Sequence, residues 1–478
     1  MHDAAASGAS LVEVRLDALQ GPMPENWLSG RPVGVIATCR RKRDGGAFQG
    51  DEAERLSVLQ AAVEAGVDWV DIEHDVESAP QRFEGARHLA SFHDLKSTPK
   101  DLATIFERLC RRGADAVKVV TTAHTLQDNL RSLRLVGSVS RPTIAFSLGY
   151  NGLASRLLSL RRGAAWTYAG FGEGPPVAGQ PRLRTLLDGF DAARIGPETG
   201  VYAVVGDPVA HSVGPLVHNR AFRHAGLDHV YLALRVAPVE LAELLAVGRD
   251  LGIEGLSVTM PHKRAVVPLL DEADELVARL GVCNTVVHRG GRWHGHNTDA
   301  PAAVTALSEA IERDGRSLSL AEARVLVLGC GGVATAIAGG LVSTGAQVVV
   351  AARDRQRREK LAHHLGCRSV DWQQRQRVEH DILVNATSVG MAPGDQATDL
   401  GLWSLWSSPV VLDAVYRETT TSLTAHARGA GCPVVCGLDL FAGQAALQAG
   451  LFGGPGLSPA TVRRWLETDR PSVRVEAA

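Results

Sequence analysis

The chain carries almost no net charge: 50 Lys and Arg stand against 52 Asp and Glu, leaving −2. Such a balance argues against a nucleic-acid or other polyanionic partner. Paired cysteine spacings are also lacking. Seven cysteines are scattered along the sequence, an odd number, and the one close pair, Cys432 and Cys436, fits neither a CxxC redox motif nor a zinc knuckle. Free thiols in a reducing cytosol are the expected state. The first ten residues, MHDAAASGAS, have neither the basic region nor the apolar core of a signal peptide, and no low-complexity tract or short-period repeat interrupts the chain. Charge is absent from Val325 to Ala352, a stretch long enough to span a membrane. It contains Gly329, Gly331, Gly332, Gly339, Gly340 and Gly345, however, with β-branched runs at both ends. A strand, a glycine turn, a small-residue helix and a second buried strand fit this pattern better than a membrane helix. The expected location is cytoplasmic, and the oligomeric state is not readable.

What is present is an ordinary globular composition, 45% hydrophobic and 21% charged over 478 residues, enough for two or three domains. Apolar, β-rich runs begin at Leu11, Val33, Trp69, His88, Ala116, Thr143 and Trp166, most of them separated by segments of helical periodicity. Repeated βα units imply a parallel sheet. A barrel places its chemistry at the C-terminal ends of its strands, where Glu13, Arg15, Arg40, Glu73, His93, Lys118 and Gln180 fall. The fold expected is α/β, with a (β/α)8-type barrel in the first half. A polar stretch after Phe190 reads as a linker, and a new strand–helix alternation starts at Val201.

Lys118 sits among alanine and valines in GADAVKVV. Burial there is costly for an ammonium unless it is paired or neutral. Desolvation is expected to lower its pKa and to make the amine a nucleophile toward a ketone. Taken alone, Lys118 reads equally as an end-of-strand lysine reaching solvent. His93 on the neighbouring strand is a candidate base, Glu73 could orient it, and Arg15, Arg40 and Arg156 could surround an anion. The segments EVRLD, ATCRRKRDGG, DIEHD, SFHDLKSTP, ADAVKVV, FSLGYNGLASR and AGQPRL, in this order over residues 10–190, resemble type I 3-dehydroquinate dehydratases. The resemblance implies loss of water through an imine. Lys118 would form the Schiff base, His93 would move the proton and Glu73 would orient His93. Arg156 would hold the carboxylate, with Glu13, Arg15, Arg40 and Gln180 on the rest of the substrate. Pro176 departs from the family, which has a serine there.

In the second half, VLVLGCGGVATA follows the GxGxxG/A logic, with Gly329, Gly331, Gly332 and Ala334 opening a helix toward a pyrophosphate. The next strand ends at Arg353, with Arg357 a turn later, where NAD enzymes carry a carboxylate; two guanidiniums favour NADP. Lys263 in SVTMPHK and Asp299 in HNTD form a candidate proton-transfer pair. With YAVVGDPVAHSVGPLVHN, LGVCNTVV, NATSVGM and GLDLFAGQAALQ, they resemble shikimate dehydrogenase from Tyr202 to about Phe452. The resemblance implies that Ser212 binds the substrate carboxylate and that Thr259, Asn284 and Gln444 hold ring hydroxyls. Lys263 and Asp299 would work at the reacting oxygen. Asn385, Thr387, Ser388, Met391 and Gly437 would line the cofactor side. His294 and His296 read as structural, with no third metal ligand nearby. Gly214 replaces a family serine, the family's glycines after the NTD motif are replaced within Ala300, Pro301 and Ala302, and Leu440 replaces a methionine.

The organisation expected is a dehydratase barrel over residues 1–190, a linker at 191–199, a substrate-binding domain at 200–302, a Rossmann NADP domain at 303–436 and C-terminal helices at 437–478 that return to the substrate domain. The partners expected are small-molecule substrates. Two alternatives are a quinate dehydrogenase in the second half, for which Gly214 leaves room, and one half reduced to a binding or regulatory module. The family barrel needs one strand more than the seven readable here. MHDAAASGAS can end a helix but not supply a buried strand. A gapped barrel is therefore expected, with the strands of Arg15 and Trp166 flanking the gap, and a start codon placed too far downstream is its expected cause.

Overall fold

The computed structural model describes residues 1–76, 83–172, 180–209, 212–391, 405, 407–417, 420–454 and 456–468. Pro176 lies outside the described residues. Two compact units are present, Met1–Gly200 with Asp228–Val236, and Val201–Leu227 with the described residues from Ala237 on.

The first unit opens with helix α1 (His2–Ala6) and then winds six parallel strands in consecutive order: β1 (Leu11–Arg15), β2 (Gly34–Thr38), β3 (Trp69–Glu73), β4 (Arg87–His93), β5 (Ala116–Thr122) and β6 (Thr143–Leu148). Helices α2 (Glu52–Glu64), α3 (Leu102–Arg111), α4 (Leu126–Leu133) and α5 (Leu153–Arg161) intervene. This is the winding of a barrel, opened between β1 and β6. Alternation divides the strand side chains between two apolar layers. Val35, Ala37, Val70 and Ile72 face the helix side with Leu59 and Val63 of α2. Ile36, Trp69, Leu89, Val120, Ile144 and Phe146 form the inner face.

Residues 1–10 form no strand, as expected from their composition, and β1 pairs only with β2 among the described residues. The strand expected at Trp166 does not form. Ala165 N–H still reaches Thr143 O at 3.2 Å, but the Tyr168 carbonyl is taken by Arg156 Nη1 at 2.8 Å. Gly170 then bonds to Pro181 and Leu183 instead of to a sheet neighbour. A guanidinium has replaced the ladder donor, and Trp166 and Tyr168 pack their rings on the inner face.

The second unit holds two sheets. In the smaller lobe, β7 (Gly200–Gly206) runs parallel to β9 (Ile253–Val258), β9 is antiparallel to β11 (Thr285–Arg289), and β11 turns back into β12 (Arg292–His296). The short β10 (Glu272–Ala273) edges it; β8 (His229–Arg235) belongs to the first compact unit. The larger lobe is a wholly parallel sheet ordered β15-β14-β13-β16-β17-β18, from β13 (Arg324–Leu328), β14 (Gln347–Ala352), β15 (Arg368–Asp371), β16 (Ile382–Asn385), β17 (Val410–Asp413) and β18 (Val434–Val435). The order reverses between β13 and β16, the switch point at which such sheets bind ligands.

The charge-free stretch from Val325 thus resolves into β13, a glycine turn, helix α10 (Gly332–Ser343) and β14. The small residues of α10 let its neighbours approach. A Cβ on Gly339 would lie 2.2 Å from Leu280, and one on Gly340 would lie 3.2 Å from Ala300 of helix α9 (Asp299–Asp314). Helix α13 (Gly437–Leu451) packs on α9, where a Cβ on Gly443 would come 3.1 Å from Ala302. The alanines that replace the expected glycines after Asp299 therefore fill the seam between these helices. No helix among the described residues is long and apolar enough to cross a membrane. All seven cysteines are free thiols.

Candidate functional sites

In the first unit, strand register gathers the ionisable side chains. Lys118 pairs across with Ser91, and Glu73 pairs with the same Ser91 from the other side. Period-two alternation then points Asp71, Glu73, Ser91, His93 and Lys118 to one face. Lys118 Nζ lies 3.1 Å from Asp71 Oδ2 and 3.1 Å from Glu13 Oε2, and 4.2 Å from the centroid of the Tyr168 ring. Arg40 Nη2 donates to Asp71 Oδ2 at 3.1 Å and approaches Glu13 Oε1 at 3.5 Å. Two cations and two carboxylates thus form a buried square.

This square corrects the expectation for Lys118. Burial does push its pKa down, but Asp71 and Glu13 act more strongly together and hold the ammonium above its ordinary value. The carboxyl groups respond in the opposite sense: burial would raise Asp71 and Glu13, yet Lys118 and Arg40 hold both below the carboxylate range. His93 is pushed well below the ordinary imidazole value by burial and by the charges of Arg40 and Lys118. Neither of its ring nitrogens has a hydrogen-bond partner. The site therefore offers a charged lysine and a neutral imidazole free to accept a proton.

Glu73 does not bond to His93. Its carboxylate lies 2.9 Å from Arg55, a fully buried guanidinium on α2 that also bonds the Cys39 carbonyl and Glu52. Burial and the charge on Asp71 push Glu73 up to about 7, against the pull of Arg55. Arg15 is clamped on Asp17 through two bonds of 2.9 and 2.7 Å. Gln180 is half-buried beside Pro181, whose carbonyl accepts from Gly170 N–H. Arg156 is fully buried on α5, stacked 4.0 Å over Phe146, with Nε and Nη2 unbonded. No carboxylate among the described residues pairs with it, and burial pushes its pKa down to about 9. A buried guanidinium with unused donors is a site for an anion.

In the second unit, Lys263 and Asp299 form an ion pair. Cys283 N–H fixes the Lys263 backbone at 2.8 Å, and Asp299 opens α9. Asn284 donates to Thr298 at 2.9 Å and to Gln444 at 3.4 Å, which joins β11's leading edge to α13. Thr259 follows β9, its N–H on Val205 O at 2.9 Å. Ser212 Oγ accepts from Gly214 N–H at 3.2 Å and interacts with the Tyr416 hydroxyl. Thus the structure brings Lys263 to Asp299 and Asn284 to Gln444. Tyr416 and Gln448, which bonds Ser257, Asn284 and Thr285, were not singled out by sequence. His294 and His296 pair with Glu272 and Asp274 at 3.2 and 3.1 Å.

The glycine turn fits a dinucleotide. Gly329 has φ +113°, and a Cβ there would lie 2.6 Å from Ala386 O; nothing lies within 4 Å of one on Gly331. Gly332 starts α10, whose first N–H groups lack helical acceptors, and Ala334 is buried in its first turn. Arg353 and Arg357 are exposed at the end of β14 and the start of α11 (Arg355–Leu365). Asn385 is buried and spent on structure, bonding Asp413, Val389 O and Thr387, so it shapes the loop that displays Ser388 and Met391. Gly437 lets α13 begin against Val415, whose carbonyl would lie 2.4 Å from a Cβ.

Comparisons with known proteins agree with this division. Residues 1–196 match the type I 3-dehydroquinase family, residues 204–286 the shikimate dehydrogenase substrate binding domain, and residues 324–413 the family described as NADP oxidoreductase coenzyme F420-dependent. The chain is 34% identical over 475 residues to the chloroplastic bifunctional 3-dehydroquinate dehydratase/shikimate dehydrogenase of Arabidopsis thaliana, covering 94% of this chain and 78% of that protein. It is 40% identical over 256 residues to the shikimate dehydrogenase (NADP(+)) of Thermococcus kodakarensis, 50% of this chain and 86% of that one. Among solved structures, quinate dehydrogenase from Corynebacterium glutamicum in complex with NAD is similar at 30% identity and a TM-score of 0.51, over 56% of this chain and 99% of that one.

Proposed function

Because the chain belongs to the family of bifunctional 3-dehydroquinate dehydratases/shikimate dehydrogenases, we propose that its two sites catalyse consecutive reactions of the shikimate pathway. The first dehydrates 3-dehydroquinate to 3-dehydroshikimate. The second reduces 3-dehydroshikimate to shikimate with NADPH. The organisation proposed is the one set out from the sequence, with the dehydratase over residues 1–190 and the dehydrogenase from residue 200 onward. Cytoplasmic residence belongs to the same proposal.

The observation that carries the first half is the buried square of Lys118, Asp71, Glu13 and Arg40, linked through Tyr168, whose ring Lys118 faces and whose carbonyl Arg156 holds, to the open donors of Arg156. Arg156 takes the substrate carboxylate, and Arg15, Arg40, Glu13 and Gln180 take the remainder. Lys118 begins protonated, so a proton must leave before Nζ can attack the C3 ketone. The two carboxylates and neutral His93 are the nearby acceptors. Attack forms the C–N bond, water leaves, and the resulting iminium acidifies C2–H. His93 takes that proton and returns it to the departing C1 hydroxyl, which leaves as water and gives the conjugated iminium; a second water then hydrolyses the C=N bond, releasing the enone and freeing Lys118. Glu73 acts through Arg55, which ties the ends of β2 and β3 together, and its role is to position the square.

In the second half, NADPH supplies the hydride when bound. The Gly329–Ala334 turn, Arg353 and Arg357 would hold its phosphates, with Thr387, Ser388, Met391 and Gly437 beside it. Ser212 binds the substrate carboxylate, and Thr259, Asn284 and Gln444 bind hydroxyls. Lys263, paired to Asp299, delivers the proton to the ketone oxygen. A second reading, quinate oxidation, is favoured by Gly214, which leaves out a side chain beside Ser212, and by the likeness to a quinate dehydrogenase.

Purified protein given 3-dehydroquinate and NADPH tests the proposal: enone absorbance should rise while NADPH absorbance falls. Enone formation without NADPH loss would contradict the second activity, and NADP+ reduction by quinate but not shikimate would select the second reading.

A further inference from the structure

Arg264 follows Lys263 and has no part in the assignments above. It is exposed, yet its guanidinium is anchored: Nη2 donates to Thr335 Oγ1 at 2.6 Å. Thr335 lies in the first turns of α10 and bonds back to Gly331 O at 2.9 Å. The neighbouring Lys263 side chain lies against the glycine turn, since a Cβ on Gly332 would come 3.0 Å from the Lys263 Cβ. No carboxylate among the described residues pairs with Arg264. Its electrostatic neighbours are Cys330, inside the glycine turn, and Arg357, a like charge. Arg357 has Asp354 at 3.4 Å, so of the two guanidiniums beside this helix start it is Arg264, held among the described residues only by Thr335 Oγ1, that has donors to spare for an anion.

We propose that Arg264 binds a phosphate of the dinucleotide and thereby ties cofactor binding to the segment carrying Lys263. The inference rests on the assignment of the Gly329–Ala334 turn to that cofactor. One guanidinium reaches the cofactor from the smaller lobe while Arg353 and Arg357 belong to the larger one. Its hydrogen bond to Thr335 sets the guanidinium plane, so the remaining donors are aimed before the ligand arrives.

The test is equilibrium binding of NADP+ and of NAD+ to the full chain, by calorimetry, for the wild type, Arg264→Gln and Gly331→Asp. Gln keeps a donor for Thr335 and removes the charge. A thermal melt like the wild type's shows that the fold is kept. Arg264→Gln should weaken NADP+ by about tenfold, the scale of one charge-assisted bond, with partial recovery in Arg264→Lys. An equal loss for NAD+ assigns the diphosphate, and a loss confined to NADP+ assigns the 2′-phosphate. Unchanged affinity for both in Arg264→Gln, with binding abolished in Gly331→Asp, overturns the inference alone. Wild-type affinity in Gly331→Asp as well overturns the cofactor-site assignment with it.

Discussion

Asp71 and Lys118 meet at 3.1 Å in a buried site, each holding the other ionised. The lysine of this site is therefore held as an ammonium, and the proposed imine chemistry requires that it be unloaded first.

Asp71→Asn removes one of the two carboxylates that hold the proton on Lys118. An opposite charge at this range shifts a pKa by about one to three units, so the basic limb of Lys118's reaction with an amine-modifying reagent should move down by that order. A profile superimposable on the wild type's would show that Asp71 does not set the charge of Lys118.

Arg156→Gln should separate affinity from stability. The guanidinium is fully buried with two donors unused, so the neutral amide relieves a desolvated charge in the free protein. The melting temperature should stay level or rise, while KM for 3-dehydroquinate rises by about tenfold or more. An unchanged KM would take Arg156 out of the carboxylate site.

Glu73 gives stability a pH dependence. Its folded pKa, pushed up to about 7, lies above the unfolded value. Folding therefore favours the protonated carboxyl, and the contribution is lost as pH rises from about 4.5 through 7. A shift of this size corresponds to about 3 kcal/mol. In Glu73→Gln the fall in unfolding free energy of the first unit between pH 5 and pH 8 should shrink by that order. Denaturant titrations at the two pH values measure it, and an equal fall in both proteins would remove Glu73 as the source.

Arg353 stands exposed at the end of β14. Arg353→Ala should reduce the preference for NADP+ over NAD+ by about one to two orders of magnitude, from roughly 1.5–3 kcal/mol for a charge-assisted hydrogen bond. Kd values for the two cofactors decide it, since an unchanged ratio places the 2′-phosphate elsewhere.

The two families are legible in the sequence because Lys118, His93, Lys263, Asp299 and the glycine turn sit in motifs whose local order carries the resemblance. The same holds for Arg156, whose burial without a counter-ion among the described residues only the structure shows. Electrostatics was less legible. Asp71 lies two residues before Glu73 in DIEHD, and period-two alternation puts both on the Lys118 face, so a parity argument could have found it. Which carboxylate reaches the lysine depends on depth within the sheet, and Glu73 is drawn off by Arg55 from an outer helix. The composition of WTYAGF predicts a strand at Trp166. The Tyr168 carbonyl within it, however, is taken by a guanidinium twelve positions upstream, that of Arg156, and composition cannot see a side chain competing for a carbonyl. Tyr416 reaches Ser212 across two hundred residues, with no motif joining them.

The division of labour between the two lysines is tested most directly by giving 3-dehydroquinate and NADPH to Lys118→Ala and Lys263→Ala. The Lys118 variant should neither form enone nor consume NADPH, and adding 3-dehydroshikimate should restore NADPH consumption to the wild-type rate. The Lys263 variant should accumulate enone at the wild-type rate and leave NADPH untouched. Loss of both activities from either well-folded variant, or dehydration that survives in Lys118→Ala, would contradict two independent sites built on these residues.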